Sequence, residues 1–98
     1  GAERAMSLRS EGTRLLLDGA LTMDTVPALL SEARLACRKS VEVIDFAAVV
    51  EIDSAAIAFA LELKRTARAA GRRISFENLP QGMLNLAQMY SVSEQLQS

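Results

Sequence analysis

Residues that could do chemistry are few in this 98-residue sequence, and the most suggestive pair stands in the stretch VVEIDSAAIAF, residues 49–59. Asp53 and Ser54 lie there, where an apolar segment gives way to a helical pattern. The sequence contains no histidine, which removes the commonest general base near neutral pH and the commonest metal ligand. A serine nucleophile would then need another base, such as Lys64. Helical winding turns these two side chains roughly 80° apart, so a Ser54–Lys64 hydrolase is disfavoured.

Two other groups could carry chemistry, and neither is favoured. Asp45 and Asp53 could form a carboxylate pair, but FAAVVEI between them is predicted as a loop that fixes no distance. Because aspartate is preferred at helix caps, we expect Asp45 to end a strand and Asp53 to cap a helix. Cys37, the only cysteine, has no histidine to activate it and is predicted to pack in the core. Since glycine-rich phosphate loops are also missing, the sequence predicts no enzyme, no metal site and no cofactor.

The composition favours one folded domain and disfavours several classes of partner. Half of the residues are hydrophobic, 23% are charged and the net charge is −1, which argues against disorder. No long basic run is present, so binding to nucleic acid or to an anionic membrane surface is not expected. No apolar run approaches the roughly 20 residues that span a membrane. Residues 1–6 are interpreted as a disordered start, partly a remnant of cloning, and residues 7–98 as the domain.

Strand and helix patterns alternate along the chain. Strands are predicted near residues 7–10, with Glu11 and Gly12 as a hairpin turn, then over 13–19 up to a turn at Asp18 and Gly19, over 41–46 and over 72–78. Helices are predicted from Asp24 or Thr25 through Lys39, over 54–70, and over 81–90 with Met83, Leu86, Ala87 and Tyr90 inward. This order predicts a small α/β domain with a mixed, largely parallel sheet of about four strands and three to four helices.

The helix predicted over 54–70 has two different faces. Its apolar stripe, expected to face the sheet, consists of Ala56, Ile57, Ala60, Leu63, Ala67 and Ala70. The opposite row is Ser54, Ala58, Leu61 and Arg65, flanked by Glu62 and Arg68. Small residues let a partner backbone approach, Leu61 could fill a pocket and Arg65 could bridge at the rim. Exposed alanines and leucines are also ordinary on helices, so a contact surface and a plain solvated face both stay open.

Ser54 adds a second question to this row. It would lie in the first helical turn, where free N–H groups and the helix dipole favour negative charge. A phosphate on Ser54 would be tolerated there and would change the surface that a partner meets. Alternatively, Asp53 and Ser54 merely share the capping of the helix.

The stretch VIDFAAVVEIDSAAIAFALELKRTARAAGRRISFENLP, residues 43–80, resembles the core of a STAS domain. The family pattern is a strand ending in aspartate, a short loop, aspartate and serine or threonine opening a helix, and a further strand after a glycine. Asp45, Asp53, Ser54 and Gly71 match it, and the resemblance extends from about Leu15 to Tyr90. It implies a small single-domain STAS-like fold that works as a non-catalytic binding module.

Two branches of the family are compatible with these residues. In anti-sigma factor antagonists, the serine that matches Ser54 is phosphorylated by a partner kinase. The ending NLPQGMLNLAQMYSVSEQL is similar to that of the MlaB branch, at Leu86, Ala87, Tyr90, Val92 and Leu96. STAS regulators usually carry glycine and leucine where Ala56 and Ile57 stand here, which counts against recognition by a kinase.

The MlaB resemblance implies a specific partner and place. The expected role is a cytoplasmic accessory subunit, peripheral to the inner membrane through its complex. It would bind the MlaF-like ATPase of a phospholipid-transporting ABC system, support assembly and activity, and so help to maintain outer-membrane lipid asymmetry. The expected partner-binding residues are Asp53, Ser54, Ala55, Ala58, Leu61, Glu62 and Arg65. The alternative is an anti-sigma factor antagonist switched by phosphorylation of Ser54.

Overall fold

The computed structural model describes residues 5–97 of the chain. Its elements are β1 (Ser7–Glu11), β2 (Arg14–Leu21), α1 (Val26–Lys39), β3 (Val43–Ile52), α2 (Ser54–Ala69), β4 (Ser75–Glu77), α3 (Gln81–Met89) and α4 (Ser93–Gln97). The predicted order of strands and helices is confirmed, and a short fourth helix completes it. Residues 1–4 of the predicted disordered start lie outside the described residues, whereas Met6 is buried in the core. Within residues 5–97, no helix is long and apolar enough to cross a membrane.

The four strands form one mixed sheet in the order β1-β2-β3-β4. β1 and β2 form an antiparallel hairpin, whereas β2–β3 and β3–β4 are parallel pairs. The parallel pairs follow from the helical crossovers through α1 and α2, because parallel neighbours need a long connection. The predicted small α/β fold with a mixed, largely parallel sheet is therefore confirmed.

The helices cover one face of this sheet. Leu15 and Leu17 of β2 and Ile44 and Phe46 of β3 point into the core beneath them. Phe46 meets Phe76 of β4 edge-on, with ring centroids 5.5 Å apart, a favoured aromatic geometry. The opposite sheet face stays open to solvent.

Two strands run further than the sequence pattern indicated. Asp18 and Gly19, predicted as a turn, lie inside β2, where the pairing with β3 shifts register on either side of them. Gly19 has a φ of +110°, and a Cβ there would lie 2.1 Å from the backbone oxygen of Ala5. The glycine therefore serves a bulge and a close backbone approach rather than a chain reversal. The hairpin turn between β1 and β2 falls one residue later than predicted, at Gly12 and Thr13.

β3 extends through the segment that was predicted as a loop. It continues through FAAVVEI to Ile52, because β2 also runs on to Leu21 and offers a pairing partner along that length. Asp45 therefore lies inside β3 and does not end a strand. β4 is conversely shorter than predicted, covering Ser75–Glu77 instead of residues 72–78.

The helices match their predicted positions closely, with differences at their ends. α1 begins after Thr25 with Pro27 in its first turn, and it buries Ala33 and Cys37. α2 buries the predicted stripe except Ala70, which is exposed, and it also buries Phe59 and Thr66. In α3, Met83 and Ala87 are buried and Leu86 is half-buried against the core, as predicted. Tyr90, also predicted inward, is instead 50% exposed, at the C-terminal cap one turn beyond Leu86 and Ala87.

Candidate partner-binding surface

Asp53 stands at the junction of β3 and α2, and its carboxylate joins two segments of the chain. Its backbone is extended, and Oδ1 accepts a hydrogen bond from the N–H of Ala55 at 2.8 Å. Oδ2 accepts another from the N–H of Met23 at 3.0 Å. The predicted capping by Asp53 is thus confirmed, and the same side chain also fixes the loop between β2 and α1.

That loop, residues 22–25, is ordered by its own side chains. The hydroxyl of Thr25 accepts from the N–H of Thr22 at 2.9 Å and donates to the carbonyl of Ala20 at 2.8 Å. Met23 stands on this loop 67% exposed, beside the start of α2. The sequence reasoning missed Met23, because a methionine in a short polar loop carries no signal until Asp53 is known to hold it.

The outer row of α2, here called the α2 ridge, consists of Ser54, Ala58, Leu61 and Arg65. Ser54, Ala58 and Arg65 are exposed, whereas Leu61 is half-buried against the core. The row spans about 16 Å along the helix, at about 1.5 Å per residue. The structure therefore places the predicted residues together on one side of α2, with small side chains at its start and larger ones further on.

The remaining predicted residues border this ridge. Ala55 is half-buried behind Ser54 and donates its N–H to Asp53. Glu62 is half-buried on the α1 side, where one of its oxygens lies 3.9 Å from Nε of Arg34. All seven predicted residues therefore lie on or beside the ridge.

Arg65 pairs with Glu62 while its side chain stays largely exposed. Its Nε donates to Oε2 of Glu62 at 2.9 Å, and its Nη2 donates to the other carboxylate oxygen. These hydrogen bonds lower the pKa of Glu62 and raise that of Arg65. A two-point pair of this kind fixes the direction of the guanidinium at the rim of the ridge.

A groove runs along the other side of the ridge, between α2 and α4. It has a volume of about 360 Å³, and its lining residues are Leu61, Lys64, Arg65, Arg68, Glu94 and Gln95. The groove exists because α4 folds back beside α2, with Leu96 buried in the core. The sequence pattern gave no separate helix here, so this second wall was not predicted.

The family model described as MlaB-type STAS domain matches residues 5–98. The chain belongs to the MlaB-type STAS domains. No curated protein matches the sequence.

Two solved structures of SpoIIAA share the fold. The unphosphorylated anti-sigma factor antagonist has 19% identity and a TM-score of 0.64, over 86% of this chain and 82% of that chain. The phosphorylated Bacillus cell fate determinant has 18% identity and a TM-score of 0.67, over 95% of this chain and 88% of that chain.

The same fold occurs within a much larger protein. The murine anion transporter Slc26a9 matches with 12% identity and a TM-score of 0.61, over 83% of this chain but 14% of that chain. At these identities the likeness shows the fold, which here is the STAS arrangement of four strands and four helices.

The catalytic alternatives do not come together in this STAS domain. Ser54 and Lys64 lie about 15 Å apart along α2, and Nζ of Lys64 lies over the ring of Phe76 at 5.3 Å from its centroid. Asp45 and Asp53 lie about 25 Å apart along β3. Within residues 5–97, no cluster of three or more metal-ligating side chains occurs.

Asp45 and Cys37 instead have structural roles. Asp45 accepts hydrogen bonds from Asn78 at 3.0 Å, from Arg14 at 2.8 Å and from the N–H of Ala47 at 2.9 Å. These contacts lower the pKa of Asp45, and the hydrogen bond from Asn78 has the largest effect. Cys37 is buried in the core, which confirms its predicted packing role, and burial raises the pKa of its thiol to about 11.

Proposed function

We propose that this STAS domain is an accessory subunit that binds the ATPase of a phospholipid-transporting ABC complex. The observation that carries the proposal is the match of the MlaB-type family model over residues 5–98. In this role the domain lies in the cytoplasm, at the inner membrane through its complex. Its binding supports assembly and activity of the transporter and so the lipid asymmetry of the outer membrane.

The α2 ridge is the surface we assign to the ATPase, together with Asp53, Ala55 and Glu62. Ser54 and Ala58 are small and exposed, so a partner helix or loop can approach the backbone of α2 closely. Leu61 offers an apolar contact beside the groove, and Arg65 stands at the rim, fixed by Glu62. This gradient from small to apolar to charged resembles the core and rim of protein interfaces.

Met23 extends this surface beyond the helix. Its side chain is 67% exposed, and its backbone is bonded to Asp53. Methionine adapts its shape to apolar partners and is common at binding surfaces. We therefore include Met23 in the proposed interface.

The proposed mechanism is support by selective binding. If the domain binds one arrangement of the ATPase more tightly than another, it shifts the population toward that arrangement. The shift can be no larger than the difference between the two binding free energies.

Co-purification of the domain with the ATPase tests this assignment. Ser54→Arg places bulk and charge on the small end of the ridge, and Leu61→Glu places a charge beside the groove, so both should reduce the recovered complex. Ser31→Arg and Leu35→Glu make the same changes on the exposed side of α1 and should leave recovery unchanged. Wild-type recovery with both ridge variants would rule out this surface.

A second candidate function is an anti-sigma factor antagonist switched by phosphorylation of Ser54. The supporting observation is the exposure of Ser54 at the first residue of α2, where a phosphate would be electrostatically favoured. The departure at Ala56 and Ile57 does not decide between the candidates, because both side chains are buried beneath the ridge. Intact mass after incubation with candidate kinases separates the two functions, since only this one requires an added phosphate.

A further inference from the structure

Positive charge is concentrated at one end of the molecule, although the net charge is −1. Most of the lysines and arginines fall within residues 34–39, 64–68 and 72–73. These are the C-terminal ends of α1 and α2 and the loop after α2. Arg72 shows that the two ends meet, because its guanidinium donates to the carbonyls of Cys37 at 3.2 Å and Val41 at 3.0 Å.

A cleft opens within this region, between the end of α2 and the approach to β4. It has a volume of about 460 Å³, within the range of small-ligand sites. Its lining, which we call the basic cleft, consists of Lys64, Arg68, Gly71, Arg72, Arg73 and Ile74. Four of these six residues are cationic and none is acidic, so the cleft concentrates a positive field.

The two exposed cations of the basic cleft are Arg68 and Arg73. In the chain from residue 5 to residue 97, neither Arg68 nor Arg73 has a carboxylate within ion-pair distance. The pKa of Lys64 is lowered, first by burial and then by the charge of Arg68. Arg68 and Lys64 therefore lie near each other, and an anion held by Arg68 and Arg73 would meet a positive field.

The cations are also not needed to close the end of α2. The N–H of Arg72 bonds the carbonyl of Ala67 at 2.8 Å, and the N–H of Gly71 bonds that of Arg68 at 2.9 Å. Gly71, with a φ of +73°, allows this backbone closure without side-chain help. The side chains of Arg68 and Arg73 are thus left for a ligand.

We propose that the basic cleft binds a phosphate-bearing anion, with Arg68 and Arg73 in direct contact and Lys64 and Arg72 contributing charge. A phosphate group carries up to two negative charges and three acceptor oxygens, which suits several converging cations better than a single carboxylate does. The phosphate can belong to a free anion or to a lipid headgroup. The site lies at the opposite end of α2 from Ser54 and does not depend on the proposed ATPase contact.

Nuclear magnetic resonance of the whole domain tests the site with two probes. Sodium pyrophosphate is titrated at constant ionic strength, and vesicles of phosphatidylcholine are compared with vesicles that also contain phosphatidylglycerol. The paired variant Arg68→Gln with Arg73→Gln removes two charges from the cleft. The matched control Arg38→Gln with Lys39→Gln removes two charges from the end of α1. With pyrophosphate we expect saturable shifts of the amide signals of residues 68–74. Binding to vesicles should instead broaden the signals of the domain, because the vesicle-bound domain tumbles slowly.

The cleft variant should bind the effective probe at least about tenfold more weakly, because it loses two cationic contacts to the phosphate. The affinity of the control variant for the probe should stay within about twofold of wild type, since dissolved salt screens charges that do not contact the ligand. If pyrophosphate binds, the ligand is a free phosphate-bearing anion. If only vesicles that contain phosphatidylglycerol bind, the ligand is a lipid headgroup. Signals that neither shift with pyrophosphate nor broaden with vesicles, or equal weakening by both variants, would overturn the site while leaving the ATPase proposal untouched.

Discussion

The carboxylate of Asp53 accepts a hydrogen bond from the backbone N–H of Met23, 30 residues earlier in the chain. The same carboxylate caps α2 through the N–H of Ala55. The exposed Met23 side chain and the start of the α2 ridge are consequently positioned by one group. A partner that meets this end of the domain meets a pre-assembled surface.

The two roles of Asp53 can be separated by substitution. Asp53→Ala removes both acceptors and should lower the free energy of unfolding by about 1–2 kcal/mol. Asp53→Asn keeps one acceptor oxygen for the cap but presents an amide to Met23. We therefore expect near wild-type stability for Asp53→Asn, with faster hydrogen exchange at the Met23 amide in both variants. Unchanged hydrogen exchange at the Met23 amide would contradict the role of Asp53 in holding the loop that carries Met23.

Gly19 should be far less replaceable than Gly12, although both have positive φ angles. A Cβ on Gly19 would lie 2.1 Å from the backbone oxygen of Ala5, whereas one on Gly12 has nothing within 4 Å. Gly12→Ala should cost about 1 kcal/mol from backbone strain, and Gly19→Ala about 2 kcal/mol or more. Urea unfolding of both variants measures the difference, and equal costs would show that the contact with Ala5 is unimportant.

Acid should weaken the domain partly through Asp45. Its folded-state pKa is lowered by Asn78, Arg14 and the N–H of Ala47. Its contribution is therefore fully present above the unfolded pKa of about 3.9 and is lost as pH falls through the lower folded pKa. Asp45→Asn should lower stability at pH 7 by on the order of 1 kcal/mol and flatten the loss below pH 4.

Urea unfolding at pH 7 and at pH 2–4 follows this dependence. Asp18→Asn removes an exposed carboxylate from the same open sheet face and serves as the matched control for the change of charge. An Asp45→Asn variant with an unchanged acid response would show that Asp45 is not one of the groups responsible.

Cys37 should resist alkylation in the native domain. Its side chain is buried, and its pKa of about 11 leaves roughly one thiol in a thousand ionised at pH 8. Mass spectrometry after treatment with iodoacetamide should find little modification in buffer and full modification in urea. Rapid native modification would indicate that the α1 packing opens readily.

The order of strands and helices and the capped start of α2 could be predicted from the sequence, because both depend on local patterns. Asp53 is a preferred cap type, and the apolar period of α2 is regular, so both were correctly predicted. Asp18 and Gly19 were misread because a glycine needed for a bulge looks like a glycine needed for a turn. β3 was predicted too short because Ala47 and Ala48 have no strand preference, and their pairing with β2 is not local.

Surfaces formed by several elements were harder to predict, because they bring together residues from distant parts of the chain. The basic cleft could not be predicted from short runs, because Lys64 and Arg68 meet Arg72 and Arg73 only when α2 turns back toward β4. Only the α2 ridge, which lies on one helix, could be written down from spacing.

The most direct measurement is the dissociation constant between the isolated domain and the ATPase encoded beside it or recovered with it. The account predicts that Ser54→Arg weakens this binding at least about tenfold, as expected for a charge forced into a packed contact, whereas Ser31→Arg leaves it unchanged. Wild-type affinity for Ser54→Arg and Leu61→Glu, with both variants folded, would contradict the assignment of the α2 ridge.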